Sequence, residues 1–189
     1  MKIAIIGSGF FGITLGLLLS KKHDVHIFEK ERRILNGASA ANQFRFHLGY
    51  HYPRSQKTVT EINKSKNLFT SYYGKKIFQK TSNYYLIADK SKVNFIKYKK
   101  FLKRNRLYNR LVKSLFLNDN IDKTILTNEK ILNYFVFKKL ISKKIKFSKL
   151  KVKLNKEFIK SSLKDYDKVV VATYSNNNQI LNKLGIKKL

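Results

Sequence analysis

The sequence predicts an α/β fold, a parallel sheet with flanking helices, carrying a partial α+β insertion in its middle. Three observations predict it. Residues 3–6 form a short run dominated by isoleucine, as a fully buried parallel strand requires, and the run ends directly on Gly7, Gly9 and Gly12 in G-x-G-x-x-G order. An apolar helical stretch over residues 10–21 follows, and then a second strand over 25–28 that stops at Glu29. Far along the chain, residues 165–173 read Asp-Tyr-Asp-Lys-Val-Val-Val-Ala-Thr, a polar turn leading into another β-branched strand suited to a buried parallel position.

Taken in order, these elements describe a Rossmann-type dinucleotide site. Gly7 permits the tight turn after the strand, Gly9 lets backbone N–H groups approach a pyrophosphate, and Gly12 lets the helix pack closely on the strand. The helix presents its N-terminal end, with unpaired N–H donors and partial positive charge, to the phosphates. Glu29 lies 17 residues after Gly12, where a carboxylate accepts hydrogen bonds from both ribose hydroxyls and disfavours a 2′-phosphate. NAD and FAD share the adenosine diphosphate half that this unit holds, so the unit by itself leaves the choice between them open.

After Glu29 comes a run of small and polar residues, 30–55, more like backbone laid against a long ligand than the next helix and strand of a short-loop nucleotide domain. Residues 55–73 then carry Val59, Ile62, Leu68 and Phe69 among polar and basic positions, which predicts a helix, and Gly74 ends it. Aromatic and β-propensity residues over 77–88 predict strands of a second sheet, with Tyr84 and Tyr85 more suited to its core than to a pocket. Residues 92–115 alternate apolar and basic positions at helical spacing, 133–140 predict a further helix, and 147–154 a strand. The expected partition is a discontinuous nucleotide-binding domain, residues 1–75 with 150–189, and a partial substrate or cap region over 76–149.

With 189 residues, 43% of them hydrophobic, the chain is long enough to bury a real core. No stretch approaches 18 uninterrupted apolar residues, and residues 13–19 follow the glycine motif rather than forming a signal peptide, so a cytoplasmic protein is expected. The absence of Cys excludes disulfides, thiolate metal sites and a cysteine nucleophile. No G-x-S-x-G supports a serine nucleophile. His23, His26, His47 and His51 show no ligand spacing joined to nearby carboxylates, so no metal site is expected. The formal charge of +30, from 41 basic and 11 acidic residues, is mostly Lys spread along the chain among abundant Asn, Ile, Phe and Tyr. That is a solvated basic surface of the kind an AT-rich coding sequence gives. It attracts polyanions without specificity and favours anionic substrates, and it implies no specific nucleic-acid partner.

Two segments carry a family resemblance. Gly37-Ala-Ser39-x-x-Asn42-Gln43, followed by His47-x-Gly49-Tyr50-x-Tyr52-Pro53-x-Ser55, resembles the FAD-dependent oxidoreductases of the D-amino-acid-oxidase superfamily. The His47 to Pro53 part looks most like the 2-hydroxyglutarate dehydrogenase branch. The strand ending in Ala172-Thr173 resembles the one that returns to the nucleotide domain in many flavoproteins, with Tyr174 in place of the usual Gly. The resemblance implies FAD as cofactor and oxidation of a small anionic hydroxy acid or amino acid by hydride transfer to the flavin. Carried over, Gly7, Ser8, Gly9, Phe10, Phe11 and Gly12 would face the pyrophosphate, Glu29 the ribose and Lys30 the adenosine. Ser39, Asn42 and Gln43 match loop positions near the diphosphate and ribityl chain, and Ala172 and Thr173 the closing strand. His47 and Gly49 fall where that family approaches the flavin ring, His47 as base or as positioning group.

Read without the resemblance, Ser39 and Asn42 equally suit loop-closing side-chain to backbone bonds, and His47 a packed histidine. Arg45, Arg54 and Lys57 are either ligands of a substrate carboxylate or ordinary surface cations. Members of that family continue well beyond the Ala172-Thr173 strand, whereas this sequence stops at Leu189. The expectation is therefore a flavoenzyme or its N-terminal portion, with a second chain as one source of the remaining half. The alternatives are an NAD-dependent dehydrogenase, which leaves residues 39–52 unexplained, and a noncatalytic basic remnant that binds polyanions nonspecifically.

Overall fold

The computed structural model describes residues 1–113 and 120–187. In chain order its regular elements are β1 (Lys2–Ile6), α1 (Phe10–Leu19), β2 (Asp24–Phe28), β3 (Arg45–Phe46), α2 (Gln56–Tyr73), β4 (Phe78–Lys80) and β5 (Asn83–Ala88). There follow α3 (Phe95–Arg104), β6 (Arg110–Val112), β7 (Ile121–Thr127), β8 (Lys130–Leu132), α4 (Tyr134–Lys146), β9 (Lys151–Lys153), β10 (Lys168–Val171) and α5 (Asn177–Lys183). Its contacts divide the chain into two units, Met1–Asn42 with Lys138–Leu189, and Gln43–Phe137. The sequence-based partition, residues 1–75 with 150–189 against 76–149, differs from this division in placing residues 43–75 with the nucleotide domain and 138–149 with the cap region.

The first unit is built on a four-stranded sheet in the order β10-β1-β2-β9, parallel throughout. β1 lies in the middle and is buried along Ile3 to Ile6, which explains its lack of polar alternation. Its partner β10 pairs Ile3 with Lys168 through Ile6 with Val171, so the predicted returning strand does enter the nucleotide sheet. α1 packs against this sheet so closely that a Cβ on Gly16 would stand 2.9 Å from Ile27 Cδ1 and 3.0 Å from Leu150 Cδ1. On another part of the sheet, Ala4, Ile6 and Phe28 join Phe158 and Leu184 in a second buried cluster.

The second unit has two small antiparallel sheets, β3-β8-β4 and β5-β7-β6. α2 starts as the sequence suggests, with Ser55 accepting from the N–H of Thr58, and it stops at Gly74, whose φ of 80° lies in the left-handed region that ordinary side chains avoid. Tyr50, Val59, Tyr85, Tyr98, Phe101, Leu102 and Ile125 form the core of this unit.

Two sequence expectations are corrected here. The helix expected over 92–115 runs only from Phe95 to Arg104. Asn105 caps it, Arg106 turns left-handed at φ 53°, and Arg110–Val112 pairs with β7 instead. A short alternating run serves a strand as readily as a helix, so its spacing did not discriminate. Residues 114 and 115 of that stretch lie outside the described residues. The strand expected over 147–154 shrinks to Lys151–Lys153 because α4 extends to Lys146 before the chain turns. β7 and β8, absent from the sequence reading, supply the partners of β3, β4, β5 and β6.

Candidate functional site

In the first unit the site forms where β1 gives way to α1. Gly7 adopts φ 103°, and a Cβ there would come within 2.6 Å of the Ala172 carbonyl oxygen. A Cβ on Gly12 would overlap the Gly7 carbonyl. Both glycines are thus required by backbone packing. Gly9 differs, since a Cβ on it would meet only Ser39 Oγ, at 3.2 Å, and the space beyond is open. The N-terminal end of α1 has no side-chain cap from Gly9 and no acid in its first turn, so its positive end remains uncompensated by the helix's own residues. The open space over Gly9 at this helix N-terminus fits a pyrophosphate.

The remaining nucleotide-side residues surround that turn. Glu29 Oε2 accepts from both the N–H and the hydroxyl of Ser8, at 2.8 Å each, and its Oε1 accepts from the N–H of Glu31 at 2.9 Å. Ser8 and Glu29 are thereby prearranged side by side. Ser39 Oγ accepts the Phe10 N–H at 2.9 Å, placing the loop over the helix N-terminus. Asn42 donates to the carbonyls of Ala38 and Ser39, a loop-closing role. Thr173 directs its N–H and hydroxyl to Asn177 Oδ1 at 2.9 Å, and Ala172 donates its N–H to the Ile6 carbonyl. Phe11 is 78% exposed, and Lys30 Nζ stands 4.0 Å from Glu31 Oε1. Gln43, the first residue of the second unit, is exposed.

The second unit assembles a different cluster, around a residue the sequence reading did not single out. Glu129 lies between β7 and β8 with its side chain fully buried. Oε2 accepts from Arg45 Nη2 at 2.9 Å and from the Tyr85 hydroxyl at 2.8 Å, while Oε1 accepts the Leu48 N–H at 2.8 Å. His47 Nδ1 stands 3.9 Å from Oε1. Burial alone would raise the pKa of this carboxyl, but His47, the Leu48 N–H, the Tyr85 hydroxyl and the Arg45 charge outweigh it and hold the pKa below the ordinary value. Arg45 also lies over the Tyr85 ring, 4.8 Å from its centroid. Gly49 takes φ 111°, where a Cβ would press on Val59, so the turn of the chain between His47 and His51 calls for glycine. Arg54 and Lys57 are exposed.

Beneath this cluster Tyr50 is anchored by bonds to Asn128 Oδ1 at 2.8 Å and to the Tyr108 carbonyl at 2.6 Å, and burial pushes its pKa up to about 12. His51 is held below the usual imidazole range, first by burial and then by the neighbouring His47 and Arg45. Its Nε2 faces Arg45 Nη1 at 3.3 Å. A guanidinium only donates, so this nitrogen of His51 carries the lone pair and the ring is neutral.

His47, His51 and Glu129 thus converge within 4.8 Å, a grouping that invites comparison with a metal centre. Its electrostatics oppose one: both carboxylate oxygens already accept hydrogen bonds, and the Arg45 cation sits 2.9 Å away, so a dication would have to displace a guanidinium. The pKa shifts also set a direction for stability. Glu129 and His51 are both depressed in the fold, so the stability they confer is complete above their unfolded values, about 4.3 and 6.5, and is lost as pH falls through the folded values. The urea midpoint is expected to drop from pH 7 to pH 4 and further below it, and less steeply in a Glu129→Gln variant.

A parallel sheet with a glycine turn, an open helix N-terminus and a ribose-side acid defines a dinucleotide-binding α/β protein. The family model of FAD dependent oxidoreductases, DAO, matches residues 2–119, and the chain belongs to that family. This decides the dinucleotide in favour of FAD. Among curated proteins, the FAD-dependent monooxygenase FPY4 of Fusarium mangiferae is 36% identical over 72 residues, 38% of this chain and 20% of that protein. Among solved structures, glycine oxidase from Geobacillus kaustophilus superposes with a TM-score of 0.73 at 14% identity, covering 98% of this chain and 58% of the oxidase. L-proline dehydrogenase from P. horikoshii gives 0.70 at 18%, covering 98% and 56%. L-α-glycerophosphate oxidase from Mycoplasma pneumoniae with FAD bound gives 0.58 at 18%, covering 82% and 44%. The chain thus spans a fifth of that monooxygenase and little more than half of glycine oxidase. Among the described residues no helix is long and apolar enough to cross a membrane.

Proposed function

We propose that this chain binds FAD and forms part of an oxidoreductase acting on a small anionic amino acid or hydroxy acid. The observation that carries the reading is the turn from β1 to α1, where Gly9 leaves an open space before a helix N-terminus and Ser8 is joined to Glu29. Gly7 to Phe10 and Ser39 would hold the pyrophosphate and Glu29 the ribose. When bound, the flavin supplies the hydride acceptor. The protein's part is to orient the substrate and to take a proton from its hydroxyl or amine, a task we assign to His47, which is exposed enough to be reached. The amino-acid side of the substrate class rests on the names of the solved structures that share the fold, glycine oxidase and L-proline dehydrogenase among them. The catalytic reading extends to the assembly in which the rest of that length is present, on the same polypeptide or on a second chain.

The first test is flavin retention. Purified chain mixed with FAD and freed of unbound cofactor is expected to keep the visible flavin spectrum at physiological salt. Glu29→Arg is expected to lose it, because the substitution removes the ribose acceptor and leaves Ser8 without its partner. A colourless wild-type protein would reject the FAD reading for this chain. In the active assembly, His47→Asn is expected to slow flavin reduction by about 10²–10⁴-fold, the usual contribution of a positioned base, while FAD retention is unchanged. Equal reduction rates would remove His47 from the chemistry.

A further inference from the structure

We infer that Glu129 is the positioning residue of this site, holding His47 with its Nδ1–H toward the buried carboxylate so that Nε2 is the proton acceptor. The inference rests on the reading of His47 as the base. It begins with an expensive arrangement. Glu129 is the only fully buried carboxylate among the described residues, and such burial is tolerated only when the charge is fully paired and hydrogen-bonded. All three donors bonded to this carboxylate act on the histidine segment or its wall. The Leu48 N–H fixes the peptide next to His47, Arg45 fixes the strand two residues before it, and Tyr85 supplies the ring against which Arg45 and His51 lie.

The tautomer follows from the charges. His47 Nδ1 faces Oε1 at 3.9 Å, an electrostatic contact rather than a hydrogen bond. Both oxygens of Glu129 accept from Arg45, the Tyr85 hydroxyl and the Leu48 N–H, the pattern of an ionised carboxylate with no proton to offer, so the nitrogen turned toward it is favoured as N–H, and the lone pair falls to Nε2. Carboxylates that orient an imidazole in this way recur in catalytic and metal-bound histidines. His51 does not compete for the role. Its ring centre is 4.9 Å from that of His47, but its Nε2 lone pair is already taken up by Arg45. Of the two imidazoles, only His47, 42% exposed against none for Glu129, offers an unengaged basic nitrogen to a substrate.

The test is ¹⁵N NMR of the purified chain labelled at histidine, with the signals assigned through His47→Asn and His51→Asn variants, at a pH where the imidazoles are neutral. The expected result is a predominantly Nδ1–H tautomer for His47, the reverse of what free histidine favours. Glu129→Gln is expected to return His47 to an Nε2–H majority, and Glu129→Asp, which keeps the charge, to retain the Nδ1–H form. A wild-type His47 that is mainly Nε2–H overturns the inference, as does an unchanged His47 spectrum in folded Glu129→Gln. Should Glu129→Gln fail to fold, the wild-type tautomer decides alone. Flavin reduction in His47→Asn separates the two proposals, because an unaffected rate removes the base while leaving the tautomer result standing.

Discussion

Replacing Glu129 by Ala is expected to cost about 3–5 kcal/mol of unfolding free energy, the usual penalty for removing one partner of a buried ion pair. The deleted group satisfies Arg45 Nη2, the Tyr85 hydroxyl and the Leu48 N–H together, so the loss strands three donors in addition to opening a cavity. A penalty of this size is a large fraction of the stability of an ordinary domain. Arg45 retains 16% side-chain exposure and recovers part of its hydration, which places the expected value toward the lower end of the range. A double-mutant cycle with Arg45→Ala checks the cause. Arg45→Ala is expected to cost clearly less in the Glu129→Ala background than in the wild type, because the cation then has no buried partner to lose. Additive costs would mean that the two residues act independently and that packing, not the ion pair, sets the penalty.

The second large effect separates two glycines of one motif. Gly12→Val is expected to destroy the β1–α1 turn, since even its Cβ would overlap the Gly7 carbonyl, a backbone atom that cannot swing aside. Gly9→Val is expected to leave the fold standing, because its Cβ meets only the Ser39 hydroxyl at 3.2 Å, a group that can rotate. The valine would instead fill the space offered to the pyrophosphate. Thermal unfolding and flavin retention, measured on both variants, are therefore expected to split: Gly12→Val loses both, and Gly9→Val loses retention with a near-normal midpoint. A Gly9→Val protein that still carries FAD would place the phosphates elsewhere.

The contrast shows why the nucleotide half was legible in the sequence. Gly7, Gly9, Gly12 and Glu29 all lie within one β-α-β unit, so spacing alone predicts their positions, although Gly7 and Gly9 also pack against the distant Ala172 and Ser39. Ser39 was reached through the family resemblance, and the structure adds its bond to Phe10. Glu129 was not legible, because its contacts span 44 to 84 residues and its neighbours, Asn128 and Lys130, look like an ordinary connection between strands. One signal did exist: in a chain with 11 acids against 41 bases, an acid between two β-rich runs is a residue to question. The truncated helix after Phe95 failed for a local reason. Arg110–Val112 is too short for its period to be read, and its choice of strand depends on β7, which periodicity did not reveal.

The placement of β1 between β2 and β10 has a consequence for how the chain is made. β1 and β2 leave the ribosome within the first 28 residues, but the register partner of Ile6 on the other side is Val171. At about 5–20 residues per second, roughly 7–30 s of synthesis separate the two. Throughout that interval the apolar edge of β1 has no native neighbour, while residues 43–137, a contiguous unit, emerge complete. A nascent chain halted anywhere short of Lys168 holds an unclosed sheet, and its cofactor cradle lacks the Ala172 backbone that packs against Gly7.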